Sequence, residues 1–324
     1  MKNLPRILIS AFLLLSLPFS MTACAWKKLP DNPEDASLSL QTMNFDGLER
    51  SYYLHLPPNY NAASRLPVVF VLHGGGRADG DEVASRTGYN EIADLEGFIA
   101  VYPNGVDAQW NDGRGKTFRK ANDNTGIDDV GYIAELIDRM SHVYKGDASR
   151  VYVTGLSNGG MMTLRLGCEI SDKLAAIAPV IANIPENIIG TCKPDSPLPV
   201  LLMNGTADPL VPWDGGSVSF FRKTMGEVVS TADTVAFWTE HNRCSPVPTI
   251  ERLADKDRKD DSSVEVSTYS HCSDRAEVIL YASIGGGHSF PGGNIPDRPL
   301  LLGRKNNDIN AAEVIWEFFK EHER

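Results

Sequence analysis

Arg150-Val151-Tyr152-Val153-Thr154-Gly155-Leu156-Ser157-Asn158-Gly159-Gly160-Met161 runs from a β-branched stretch through a glycine-flanked serine into residues of helical pattern that continue to Cys168. The bare pattern G-x-S-x-G arises easily in a chain with 28 glycines, so its meaning comes from its place between a strand and a helix. A turn that tight leaves no room for Cβ atoms on either side of the serine. It forces Ser157 into a strained conformation with Oγ standing above the sheet. The N–H of Asn158, at the helix N-terminus, then faces any negative charge that develops there.

Working outward, short apolar runs suited to strands covered on both faces occur at Pro67 to Leu72, Phe98 to Tyr102, Ala175 to Ile181, Pro199 to Met203 and Val278 to Tyr281. Helical patterns lie between or after them, at Val130 to Tyr144, Met161 to Cys168, Val228 to His241 and Ala311 to His322. Ahead of them, Leu38 to Phe45 and Arg50 to Leu56 flank Asp46-Gly47, which is hairpin chemistry. An antiparallel opening followed by alternating strands and helices predicts a three-layer α/β domain with a mostly parallel sheet over residues 38–324. Chemistry in such sheets sits beyond the carboxyl ends of the strands.

A serine at that position needs a base and an acid, which in this arrangement follow in the order Ser, acid, His. Of the seven histidines, the order removes His55, His73 and His142. His322 lies among charges in a terminal helix, and His241 and His271 each sit within three residues of a cysteine. His288 remains, in a glycine-rich loop directly after a strand. The strand Pro199 to Met203 runs into Asn204-Gly205-Thr206-Ala207-Asp208, which makes Asp208 the expected acid and Asp214 its rival. After the strand Pro67 to Leu72, His73-Gly74-Gly75-Gly76 exposes backbone N–H groups. One oxyanion donor is expected at Gly75 or its neighbour and the other at Asn158, with His73 as a structural hydrogen bonder.

Leu72-His73-Gly74-Gly75-Gly76, Tyr102 to Gly105, Trp110-Asn111, Asp128 to Gly131, Gly155 to Met161, Ala176 to Val180, Gly205 to Asp208 and Gly286 to Gly292 stand in a characteristic order. On these motifs, over about residues 40–320, the chain resembles the polyhydroxybutyrate-depolymerase and feruloyl-esterase-like family of secreted α/β-hydrolases. The resemblance implies a three-layer α/β-hydrolase fold and a catalytic Ser157, Asp208 and His288. It also implies short acyl or aryl-acyl esters of the feruloyl or acetyl-polysaccharide type, with polyhydroxyalkanoate oligomers as the alternative. Asn204 and Phe290 depart from it, where His and Trp are common. Trp110, Asn111, Trp213 and Phe290 are the candidate substrate contacts, and Asp128 and Asp129 read as helix N-terminal residues. A serine peptidase or a non-catalytic binding protein on the same fold are further alternatives.

Lys plus Arg number 31 against 42 Asp plus Glu, a net charge of −11 without a basic run, which excludes nucleic acid as an expected partner. No cofactor or metal site is implied. Lys2 and Arg6 precede an apolar run from Ile7 to Phe19, shorter than the roughly 20 residues of a membrane span, so residues 1–23 read as an export signal. Met21-Thr22-Ala23-Cys24 resembles a lipobox, and lipidation of Cys24 is the expected membrane attachment. Ordinary cleavage into a soluble secreted or periplasmic form is the alternative. Residues 24–37 read as a tether. The remaining cysteines, Cys168, Cys192, Cys244 and Cys272, suit two disulfides in an oxidising compartment, with buried reduced thiols as the alternative. Sequence-adjacent pairing, which the resemblance also suggests, is expected to tie loops near the active face.

Overall fold

The computed structural model describes residues 38–324 apart from 77, 117–124, 222 and 296–297. The export signal, the tether and Cys24 lie outside the described residues. The strands are β1 (Ser39–Phe45), β2 (Leu48–His55), β3 (Val68–Leu72), β4 (Ile99–Pro103), β5 (Val151–Leu156), β6 (Ala176–Val180), β7 (Val200–Gly205), β8 (Gly216–Phe220), β9 (Lys223–Val228), β10 (Thr249–Arg252), β11 (Ser263–Tyr269) and β12 (Val278–Ile284). The helices are α1 (Gly80–Thr87), α2 (Tyr89–Glu96), α3 (Asp129–His142), α4 (Asn158–Glu169), α5 (Glu186–Ile189), α6 (Thr231–His241), α7 (Pro299–Leu302) and α8 (Ala311–Phe319).

Ten strands form one sheet in the order β1-β2-β4-β3-β5-β6-β7-β12-β11-β10. Its centre, β4 to β12, is parallel. The opening hairpin is antiparallel as expected, and Asp46 and Gly47 at its tip both have positive φ, the geometry that a two-residue turn needs to follow strand twist. Every residue of β3 is buried. Val68, Phe70 and Leu72 pack toward one apolar layer with α3, α4 and α6, and Val69 and Val71 toward the other with α1, α2 and α8. That double burial is why these strands read as unbroken apolar runs.

The far edge differs from the sequence expectation. β10 and β11 join β12 antiparallel, so both edges of the sheet are antiparallel. β10 is exposed at all four residues, Thr-Ile-Glu-Arg, and therefore has no apolar alternation to read. A second, two-stranded sheet pairs β8 with β9. Val228 accordingly ends a strand instead of starting a helix. α6 begins three residues later, where the Ser230 hydroxyl accepts the Asp233 N–H as N-cap. α1 and α2 also escaped the apolar pattern, since each buries few apolar side chains.

The disulfides are Cys168–Cys192 and Cys244–Cys272, the sequence-adjacent pairing. Their position corrects the expectation that they tie the active face. α4 starts beyond the end of β5 and runs back along the sheet, with Cys168 the eleventh of its 12 residues. At the end of α6, Asn242 bonds both backbone groups of Leu198, just ahead of β7. Both bridges therefore close the face where the parallel strands begin. They span 24 and 28 residues, for which chain entropy gives about 3.5 kcal/mol each. Replacing either pair by serine should lower urea-unfolding stability by about that amount.

Candidate active site

Strand register assembles the site. Leu72 of β3 lies opposite Gly155 of β5, so the His73–Gly76 loop and Ser157 emerge side by side. Ser283 of β12 lies opposite Gly205 of β7. The turns beyond them are joined by hydrogen bonds from the Thr206 N–H to the Ser283 carbonyl and from the Ala207 N–H to the Gly286 carbonyl.

Ser157 joins β5 to α4 with φ 54° and ψ −115°. A side chain at that φ is strained, and strain of this kind persists only where the surroundings over-determine it. Here they do: a Cβ on Gly155 would fall 2.8 Å from Leu72 Cβ, and one on Gly159 would run into the carbonyls of Leu72 and His73. Both flanking glycines are required by close approach.

His288 Nδ1 lies 2.7 Å from Asp208 Oδ2, with the two side chains 8% and 2% exposed. The other carboxylate oxygen of Asp208 accepts the N–H groups of Leu210 and Val211 at 2.8 and 2.9 Å. With Nδ1–H donated to the carboxylate, Nε2 is left as the basic nitrogen. Ser157 and His288 line the same cleft, of about 870 Å³. Among the described residues no hydrogen bond joins the Ser157 hydroxyl to the imidazole; such contacts commonly tighten only with substrate. The rival acid, Asp214, is exposed.

The expected oxyanion donors are adjacent. A Cβ on Gly75 would lie 3.4 Å from Asn158 Cβ. The Asn158 N–H belongs to the first turn of α4, where no intrahelical acceptor exists. Its side chain grips the neighbouring loop: Oδ1 accepts the Trp110 N–H at 2.8 Å, and Nδ2 donates to the Trp110 carbonyl and to Asp112. His73 is fully buried, with Nδ1 on the Gly74 carbonyl at 2.7 Å and Nε2 accepting the Gly105 N–H at 2.9 Å. Burial pushes its pKa down to about 4, so the ring is neutral.

Three of the four candidate substrate contacts stand elsewhere. Trp110 is fully buried; its indole N–H donates to the His73 carbonyl and its ring packs 4.8 Å from the His73 ring, which makes it scaffold for the His73–Gly76 loop. Asn111 ties Asp129, Thr125 and Ile127 together, and neither it nor Trp213 lines the cleft. Only Phe290 does. Asp128 caps α3, and Asp129 is paired with Arg50 at 2.6 Å, so neither is free for catalysis. Asn204, a departure from the family pattern, bonds Ala182, Asn183 and Thr231 beneath the site. Sequence reasoning missed the wall formed by Val218, Phe220 and Met225 of the β8–β9 hairpin, although Val218 and Phe220 alternate with serines at period two. It also missed Gln109, whose amide lies against Gly75.

Residues 50–182 match the sequence family described as Esterase PHB depolymerase. The chain is 29% identical to NocK of Nocardia uniformis subsp. tsuyamanensis, a protein assigned as an esterase, over 88% of this chain and 83% of that one. It is 26% identical to feruloyl esterase C of Emericella nidulans over 83% of each. Among solved structures, the acetyl xylan esterase from Aspergillus awamori superposes with a TM-score of 0.55 at 16% identity, over 87% of this chain and 99% of that one, which is a likeness of fold.

The neutral His73 generates a pH prediction. Below pH 6.5 the unfolded chain binds a proton that the folded ring refuses until about pH 4. Stability should therefore fall as pH drops from 6.5 towards 4, by up to roughly 3 kcal/mol. His73→Gln should be less stable at neutral pH, and its urea midpoint should change less steeply across that window.

Proposed function

We propose that the chain is an exported serine esterase of the polyhydroxybutyrate-depolymerase and feruloyl-esterase group, working through Ser157, His288 and Asp208. The observation that carries the reading is the hydrogen bond from His288 Nδ1 to buried Asp208, in a cleft shared with a serine held at positive φ. In this reading Nε2 of His288 takes the Ser157 proton as Oγ attacks the ester carbonyl. Asp208 holds the tautomer and stabilises the imidazolium. The N–H groups of Gly75 and Asn158 receive the oxyanion, each such donor typically worth about 10²–10³ in rate. The imidazolium then protonates the leaving alcohol, and water repeats the sequence to release the acid.

The substrate class we propose is a short acyl or aryl-acyl ester of the feruloyl or acetyl-polysaccharide type. The cleft is of small-molecule size, and Arg86, Arg114 and Gln109 interrupt its apolar lining. A long alkyl chain needs a continuous apolar tunnel. The polyester-oligomer reading has one observation in its favour. Phe221, next in sequence to cleft-lining Phe220, is 79% exposed, and Leu300, two residues before cleft-lining Leu302, is fully exposed, apolar surface of the kind a polyester would contact. Export rests on the signal-like first 23 residues and on two disulfides suited to an oxidising compartment, with Cys24 as the proposed lipid attachment.

Ser157→Ala and His288→Ala should each abolish nearly all turnover of p-nitrophenyl acetate with the thermal unfolding transition retained, because triad members act as a unit. Substantial hydrolysis by folded Ser157→Ala protein would refute the assignment. Across p-nitrophenyl esters, kcat/KM should fall or stay level from acetyl and butyryl to decanoyl; a steady rise would mean a lipase-like tunnel.

A further inference from the structure

The cleft carries a charge opposite to that of the chain. The protein has a net charge of −11, yet the charged side chains lining the cleft, the imidazole aside, are Arg86, Arg114, Arg298 and Glu82. Arg114 is committed elsewhere: it holds Asp112 through Nε and Nη2, and its Nη1 donates to the Met225 carbonyl, bracing the hairpin wall. Arg86 meets Glu82 Oε1 through Nη1 at 2.8 Å, and its side chain is 38% exposed, so the remainder of its fork is open to a ligand. Arg298, exposed at the N-terminus of α7, makes no ion pair among the described residues.

Both arginines line the cleft, and Arg86 meets the segment that precedes Arg298. The Arg86 carbonyl accepts the Asn294 N–H at 2.8 Å, four residues ahead of Arg298, and Phe290 and Ile295 of the same stretch also line the cleft. Another part of the lining, Val218, Phe220 and Met225, is apolar. The cleft thus combines the guanidinium groups of Arg86 and Arg298 with apolar surface, and Ser157 and His288 are in the same lining.

We propose that Arg86 and Arg298 form a carboxylate subsite, so that the preferred ester carries a free carboxylate a short distance from the bond that Ser157 attacks. The inference rests on the serine-esterase reading and adds to it the charge of the substrate. A planar guanidinium fork matches a carboxylate in geometry as well as charge. A cationic cleft on an acidic protein concentrates small anions locally, against the field of the remaining surface. A neutral ester would use neither arginine.

The test uses two matched pairs. Mono-p-nitrophenyl glutarate against p-nitrophenyl pentanoate places the carboxylate on the acyl side. The acetyl ester of 3-hydroxybutyric acid against its methyl ester places it on the alcohol side. The wild-type protein should prefer the anionic member of at least one pair by about tenfold in kcat/KM. That ratio should fall towards one in the Arg86→Gln/Arg298→Gln double variant. It should also fall as salt is raised from about 0.01 M to about 1 M, where the screening length shrinks from about 30 to about 3 Å. Reading the ratio within each protein cancels any general loss of activity. A ratio at or below one in both pairs, or a preference that survives the double substitution, overturns the subsite. Turnover of p-nitrophenyl acetate separates the two failures: its absence from the wild type removes the esterase reading itself, whereas its presence without anionic preference removes the subsite alone.

Discussion

No side chain stands between the start of α4 and the end of β3, and the geometry of the site depends on that contact. With Gly155 and Gly159 reduced to backbone, the first turn of the helix comes down onto the Leu72 and His73 carbonyls. This approach holds Ser157 at positive φ and brings the Gly74–Gly76 loop within reach of the Asn158 N–H. A methyl group at either glycine would push apart the serine and both candidate oxyanion donors together. The strain at Ser157 is carried by the packing of buried strands on either side, whose register leaves little freedom.

The second layer of control is polar and almost wholly buried. His73, Trp110, Asn158, Asp112 and Arg114 form a connected chain of hydrogen bonds from the His73–Gly76 loop to the hairpin wall. Buried networks of this sort are sensitive to the loss of any member, because each broken contact leaves a desolvated partner. The arrangement gives Trp110 its importance. The indole touches no part of the cleft, yet it holds the carbonyl of His73 and the ring that fixes Gly105.

What could be read from the sequence followed from short-range rules. Strands covered on both faces announce themselves as apolar runs, and the positions of Asp208 and His288 follow from which strands end before them. The disulfide pairing matched as well. Legibility ended where position depends on tertiary register. Trp110 looked like a stacking surface because a loop aromatic has no local mark that it will be buried. The β8–β9 hairpin and the arginines of the cleft were passed over because their apolar or charged character is ordinary, and only the fold brings them beside Ser157. The β10 edge strand is exposed at each of its four residues and carries no apolar alternation.

The placement of the disulfides divides the molecule into two regimes of constraint. Covalent links clamp the end of the sheet where the parallel strands begin, while the opposite end, with the hairpin and the segment from Phe290 to Ile295, is held by noncovalent contacts alone among the described residues. Insertions and exchanges in those loops leave the crosslinked frame unaltered. Such a frame can be kept constant while its mouth is rebuilt for one ester after another, so specificity and durability can diverge independently in descendants of this chain.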